Sequence, residues 1–244
     1  MLSTDRYGGT ATIVSRDGKQ QVTRGKKPPG PLWNTGQAMW LPDSRRWVVL
    51  WADLLHLYAA VEDRDVPGIS IWIPLGSRHE YWSVPLECLR LLGTMQNDHI
   101  LAVNPFSLVY DTSQVKFTEF GARPGPAQMR DYTLQLPEGM TARKVALSPQ
   151  GDRLAWIMWV HPSRSPLITF LQQRWPWLGR TADERGVLRL GISRLDGTDL
   201  KWIGRMPKLP PGDEYELGDL RWLPGGKSLS FAWKKTLWTV AASD

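Results

Sequence analysis

Three segments of the chain repeat one pattern, and this repeat constrains the fold more than any other feature. They read AMWLPDSRRWVVLW (38–51), VALSPQGDRLAWIMW (145–159) and LRWLPGGKSLSFAW (220–233). Each begins with apolar residues at alternate positions, continues through a proline and a polar or glycine-containing turn, and ends in an apolar run. Alternation is typical of a strand with two unlike faces, and an apolar run is typical of a strand buried on both faces. Because proline suits the first corner of a tight turn, each copy predicts a strand, a turn and a deeply buried strand.

A weaker fourth copy, CLRLLGTMQNDHILAVN (88–104), lies between the first two. It lacks the proline but keeps a polar turn and an apolar run. Further strand patterns follow the copies, and Asp196-Gly197 is a strong hairpin-turn signal. Four strands for each repeat predict an all-β chain folded as a β-propeller of four-stranded blades, four or five in number. We expect one domain over 1–244, with a long insertion at 161–186 in the third recognisable unit.

Two sets of segments resemble TolB-type propeller repeats. LSPQGDRLAWI, WLPDSRRWVVL and WLPGGKSLSFA are similar to the core of that repeat, which also resembles the WD repeat, and IVSRDGKQQVT and ISRLDGTDLKWI are similar to its next strand pair. The resemblance covers most of the chain, with gaps at 60–90 and 160–186. It implies a ring of blades in which an amino-terminal hairpin completes the last blade. TolB-type propellers usually have six blades or more, so this chain is a compact ring or part of a larger one. Tandem strand-rich sandwiches are the alternative fold.

Composition limits the compartment and the partners. The net charge of +6 is mild and the basic residues are mostly scattered, so we expect no nucleic-acid partner. A single cysteine, Cys88, excludes an intrachain disulfide. The first residues carry no signal-peptide pattern, and the most apolar segment, 47–61, is interrupted by Asp53 and His56. We therefore predict a cytoplasmic location and no transmembrane helix, with attachment at a membrane surface left open.

The sequence offers no motif for chemistry. The four histidines are not spaced as metal ligands, and neither a Gly-x-Ser-x-Gly elbow nor a phosphate-binding glycine loop occurs. His56 and His99 fall within strand patterns, which favours a structural role. We predict no catalytic residue, no metal, no cofactor and no small-molecule substrate.

The insertion at 161–186 is the strongest candidate for a contact surface. Long loops inside compact domains are usually functional, and tryptophan and arginine are enriched at interface hot spots. The predicted partner-binding residues are Phe170, Arg174, Trp175, Trp177 and Arg180. Docking to a protein partner, contact with a membrane surface, and folding over the propeller as a cap are all compatible with this composition.

A second unusual loop, TRGKKPPGP (23–31), carries a basic cluster of Arg24, Lys26 and Lys27. Its prolines favour an extended conformation. The cluster predicts either an anionic contact or a solubilising linker.

Together these features predict a non-catalytic propeller that serves as a protein-protein interaction or scaffolding subunit of a larger complex, with association of that complex with a membrane left open. The alternatives are an enzyme with a site at the propeller centre, of lyase or lactonase type, and a module that binds a saccharide or a peptide on an aromatic face.

Overall fold

The computed structural model describes twelve stretches of the 244-residue chain. They are residues 2–4, 11–14, 21–24, 34–43, 45–52, 56–63, 70–77, 89–109, 113–121, 129–161, 186–206 and 217–242. Within them the structure is almost wholly strand and turn, and the helix α1 (Phe106–Val109) has a single turn. The all-β prediction is confirmed.

The chain divides into two compact units, one of residues 1–106 and 116–132, the other of residues 107–115 and 133–244. The described strands of the first unit begin with a three-stranded sheet of β1 (Leu2–Thr4), β2 (Ala11–Val14) and β3 (Gln21–Arg24). A four-stranded sheet follows, of β4 (Asn34–Trp40), β5 (Arg46–Ala52), β6 (His56–Asp63) and β7 (Ser70–Ser77). A further four-stranded sheet has β8 (Arg90–Thr94), β9 (His99–Val103), β10 (Gln114–Gly121) and β11 (Met129–Gln135), and most of its residues belong to the first unit. The prediction of one domain over 1–244 stays a prediction.

The second unit contains a four-stranded and a three-stranded sheet. The first has β12 (Met140–Leu147), β13 (Arg153–Val160), β14 (Val187–Arg194) and β15 (Lys201–Arg205). The second has β16 (Arg221–Trp222), β17 (Ser228–Trp233) and β18 (Thr236–Ala241). In every sheet the strands lie side by side in chain order, so each sheet is a simple meander.

The four sequence repeats coincide with the first hairpin of four sheets: β4–β5, β8–β9, β12–β13 and β16–β17. Between β12 and β13 the backbone closes the predicted turn, since Ser148 N donates to Arg153 O at 2.9 Å and Gly151 N donates to Ser148 O at 2.9 Å. The apolar strand that follows, β13, is buried on both faces over Leu154–Met158. The repeat therefore predicted these strand pairs correctly.

The amino-terminal strands correct one expectation. A hairpin at 10–23 was expected to complete the last blade, and its two strands do form, as β2 paired with β3. Among the described strands, however, β2 pairs on its other side with β1, so that the three make a sheet of their own. Within the described part of the chain, the sheet that contains β18 has three strands.

The hairpin between β14 and β15 turns at Asp196-Gly197, as predicted. Thr198 donates from its N–H and its hydroxyl to Oδ1 of Asp196, at 2.9 and 2.6 Å. Gly197 has a φ of 80°, and a Cβ at this position would lie 2.8 Å from Cδ1 of Leu134, which is buried. The turn therefore requires glycine for two reasons, backbone conformation and space.

Replacing Gly197 with alanine is expected to lower the free energy of unfolding by about 2–4 kcal/mol, because left-handed strain and overpacking each cost about 1–2 kcal/mol. Gly225→Ala is the matched control, since Gly225 has a φ of 92° but no atom within 4 Å of the place that a Cβ would take. In Gly225→Ala the free energy of unfolding should fall only by the cost of the backbone strain, about 1–2 kcal/mol. Chemical denaturation of the two variants measures the difference. Equal losses would show that Leu134 moves aside without cost.

Candidate acid–base site

The turn between β8 and β9 presents a histidine at the start of a buried strand. Met95 N donates to His99 O at 2.7 Å and Asp98 N donates to Met95 O at 3.2 Å, which closes the turn. Asp98 has a φ of 61°, a conformation that aspartate tolerates better than most residues. The His99 N–H donates to Oδ1 of Asn97 at 3.2 Å. These bonds fix the backbone from which the His99 ring projects.

The antiparallel register of β9 and β10 brings this histidine to a glutamate. His99 lies opposite Gly121, and Glu119 is two residues before Gly121, so the side chains of His99 and Glu119 are on one face of the sheet. Gly121 has no side chain, and the His99 ring lies over it, with Nε2 3.9 Å from where a Cβ would be. Nδ1 of His99 is 2.5 Å from Oε1 of Glu119.

Glu119 is held by a second donor and is largely shielded from solvent. Nδ2 of Asn97 donates to the same oxygen, Oε1, at 3.2 Å. The Glu119 side chain is 13% exposed and that of His99 is 26% exposed. A carboxylate that accepts from Nδ1 selects the imidazole tautomer with its lone pair on Nε2. Among the described residues Nε2 of His99 has no hydrogen-bond partner. This nitrogen, which is not the one that contacts Glu119, is therefore available to accept a proton.

The charge of Glu119 also affects the pKa of a nearby tyrosine, Tyr132. Tyr132 on β11 stacks on Phe117, with ring centroids 5.4 Å apart. Burial, and to a smaller extent the negative charge of Glu119, raise the pKa of the Tyr132 phenol to about 12, while Arg130 opposes the shift. The phenol is therefore neutral at physiological pH.

Arg46 ties the β4–β5 turn to the β8–β9 turn. Its Nε lies 2.6 Å from Oδ2 of Asp43, and its Nη2 donates to both carboxylate oxygens of Asp98, at 3.1 and 3.3 Å. Burial acts to raise the pKa of Asp43, but hydrogen bonds from the backbone and side chain of Arg46 and from the Arg45 N–H outweigh it and lower the pKa to about 2. Because Asp98 immediately precedes His99, this ion pair also anchors the histidine.

The predicted contact surfaces fall mostly outside the described residues. The insertion at 161–186 follows the end of β13 at Val160 and precedes β14 at Val187, so it joins the second and third strands of a sheet. Its proposed partner-binding residues, Phe170, Arg174, Trp175, Trp177 and Arg180, lie outside the described part of the chain.

The basic loop is likewise untested. The backbone of Arg24 ends β3, while Lys26 and Lys27 lie outside the described residues. The sequence-predicted site residues therefore stay predictions, since only the backbone of Arg24 belongs to the described part of the chain. His99 and Glu119, which the structure does bring together, were not predicted as a site.

No three histidine, cysteine or carboxylate side chains within the described stretches are grouped so that they could hold a metal ion. In those stretches, no helix has the length and apolar character needed to cross a membrane. The predictions of no metal, no cofactor and a cytoplasmic location stay predictions.

Sheets of this kind place the chain in the β-propeller class, and the comparison with solved structures shows that fold. A functionally unknown protein from Desulfotomaculum acetoxidans is similar with a TM-score of 0.52 at 11% identity, over 99% of this chain and 62% of the other. An oligogalacturonate lyase from Vibrio parahaemolyticus has a TM-score of 0.51 at 11% identity, over 100% and 58%. An oligogalacturonate lyase in complex with manganese has a TM-score of 0.50 at 11% identity, over 99% and 57%.

This chain thus spans about three fifths of the length of these structures. No protein-family model and no curated protein matches the sequence. The β-propeller prediction is confirmed, and the TolB-type assignment stays a prediction.

The prediction of a non-catalytic scaffolding subunit is wrong. The similar structures that share the propeller fold include two oligogalacturonate lyases, so this fold is not a sign of a scaffold. The prediction depended on histidines that are scattered along the sequence. Strand pairing removes that argument, because it brings His99 to Glu119 across a hairpin.

Proposed function

We propose that this chain is a β-propeller enzyme that catalyses proton transfer, with His99 as the general base and acid. The observation that carries the proposal is the 2.5 Å contact between Nδ1 of His99 and Oε1 of the shielded Glu119. A histidine oriented by a carboxylate is a common proton-transfer group, because one ring nitrogen can accept a proton while the other donates to the carboxylate. Glu119 would stabilise the imidazolium that forms when Nε2 accepts a proton.

The substrate class to be tested first is an acidic oligosaccharide. The proton next to a uronate carboxyl group is acidic enough for removal by a base, and two similar solved structures are oligogalacturonate lyases. In β-elimination, Nε2 of His99 would take the C5 proton, the C4–O bond would break as the C4–C5 double bond forms, and the leaving oxygen would take that proton from the His99 imidazolium. The product is a saccharide with a C4–C5 double bond.

A metal ion such as the manganese bound by one of the lyases does not fit the described residues. Its ligands would have to come from a cluster of histidine and carboxylate side chains, and none is present among the residues described. The carboxylates of Asp43 and Asp98, in the two turns beside the site, are already engaged by Arg46. No step of the proposed reaction is therefore assigned to a metal.

The test is an elimination assay with the purified full chain. We expect oligogalacturonate or another uronate oligomer to give a product that absorbs in the ultraviolet, while the matching neutral oligosaccharide gives none. His99→Asn should remove this activity. Sugar lactones, assayed by proton release, test the lactonase alternative with the same pair of proteins. If uronates and lactones are both unchanged, or if His99→Asn is as active as the parent, the proposal is wrong.

Three predictions from the sequence stay open beside this proposal. They are a TolB-type origin of the blades, a cytoplasmic location, and docking of a protein partner or a membrane surface to the insertion at 161–186. Deleting the insertion and measuring both co-purifying proteins and vesicle binding addresses the last of these.

A further inference from the structure

The edge of β18 (Thr236–Ala241) that faces away from β17, here called the β18 edge, is exposed, whereas a corresponding strand of the same unit is covered. β18 is the third strand of its sheet, and β14 is the third strand of the four-stranded sheet in the same unit. β14 is buried along most of its length, whereas all but one residue of β18 are exposed. Leu237 is 72% exposed and Trp238 is 43% exposed. β14 has β15 on its other side, whereas none of the described strands lies on the other side of β18.

The backbone of the β18 edge is arranged to accept another strand. Ala242 N donates to Lys227 O at 2.9 Å, in line with the antiparallel register of β17 and β18. Bonded and non-bonded pairs alternate in such a ladder, so every second residue points its N–H and C=O away from β17. These residues are Leu237, Thr239 and Ala241. Among the described strands, none pairs with them.

The side chains show the same incomplete packing. Trp238 lies opposite Phe231, on the face that also carries Trp233, and both of those residues are buried. The rings of Trp233 and Trp238 are 6.1 Å apart between centroids. Trp238 thus continues a buried aromatic row but remains partly open to solvent. An added strand would cover it.

Charge indicates which strand would fit. Lys234 and Lys235 precede β18, Lys227 lies beside its far end, and all three are exposed. These lysines place positive charge beside both ends of the β18 edge. A strand with acidic residues at both ends would meet a cation at each end.

We propose that the β18 edge binds an extended segment of a partner polypeptide by strand addition, and that this segment has uncharged, β-prone residues between acidic ends. Main-chain hydrogen bonds would supply affinity and the flanking lysines would supply specificity. The site is independent of His99 and Glu119.

The probe is a synthetic peptide of alternating threonine and valine with two aspartates at each end. We expect it to bind the full chain and to alter tryptophan fluorescence, and we expect a peptide with lysines at both ends not to bind. Thr239→Pro removes an outward N–H without removing a bond to β17, a position that an edge strand tolerates. It should weaken binding about tenfold or more. Thr239→Ala, the matched control, should bind as the parent does.

Three results would overturn the proposal. The first is equal binding of the peptide by Thr239→Pro and Thr239→Ala. The second is protection of the Leu237, Thr239 and Ala241 amides from hydrogen exchange in the free protein, since the edge would then already be paired. The third is a dimer in sedimentation that Thr239→Pro dissociates, which would make a second copy the occupant. Loss of binding in Lys234→Glu/Lys235→Glu would support the charge argument.

Discussion

Replacing Trp156 with alanine is expected to lower the free energy of unfolding by about 3–5 kcal/mol, the usual cost of removing a buried aromatic side chain. Trp156 lies in the middle of β13 and is 0% exposed. Its Nε1 donates to Oγ of Ser193 on β14 at 2.8 Å, so the ring both fills space and satisfies its polar atom. Alanine would leave a cavity in a strand with neighbours on both sides. Denaturant titration followed by circular dichroism measures the loss.

Two further variants separate volume from hydrogen bonding. Trp156→Phe keeps most of the ring but loses the bond to Ser193, and should cost about 1–2 kcal/mol. Trp238→Ala removes the same side chain from the exposed edge strand β18 and should cost less than Trp156→Ala, because the ring is 43% exposed. A loss in Trp156→Ala no larger than that in Trp238→Ala would contradict the described packing of β13.

Trp156 also shows why the strand pairs were predictable from the sequence. The residues around it are apolar at both odd and even positions, and a short apolar run of this kind is typical of a strand covered on both faces. The proline or polar turn before each apolar run then located the hairpins. These are local signals, contained within about fifteen residues, and they need no knowledge of which strand neighbours which.

The His99–Glu119 pair was not predictable in this way. The two residues are 20 positions apart, and their approach depends on the register in which β9 pairs with β10. The strand pattern predicted that His99 lies in or near a strand, and it was interpreted as structural for that reason. A signal was nevertheless present: Gly121, opposite His99, leaves open the space that the imidazole ring crosses to reach Glu119. A glycine in a strand often marks such a close approach.

Exchanging each member of the pair tests the proposed chemistry most directly. If His99 transfers the proton, His99→Asn should lower kcat by about 10²–10⁴-fold, the range usual for a general acid–base group. Glu119→Gln keeps an oxygen that can accept from both His99 and Asn97 but removes the negative charge. It should lower kcat by a smaller factor and change KM little, because the charge matters most when His99 becomes an imidazolium in the transition state.

The matched control is His161→Asn, which makes the same substitution at an exposed histidine just after β13. It should retain the full rate, and all three variants should keep the circular dichroism of the parent, since none changes a residue of the buried apolar cores. We therefore expect His161→Asn to be as fast as the parent, Glu119→Gln to be slower, and His99→Asn to be the slowest.

A Glu119→Gln enzyme as fast as the parent would show that Glu119 only positions the ring, because its hydrogen bond survives the change while its charge does not. A His161→Asn enzyme as slow as His99→Asn would instead remove the reason for assigning the chemistry to the β9–β10 pair.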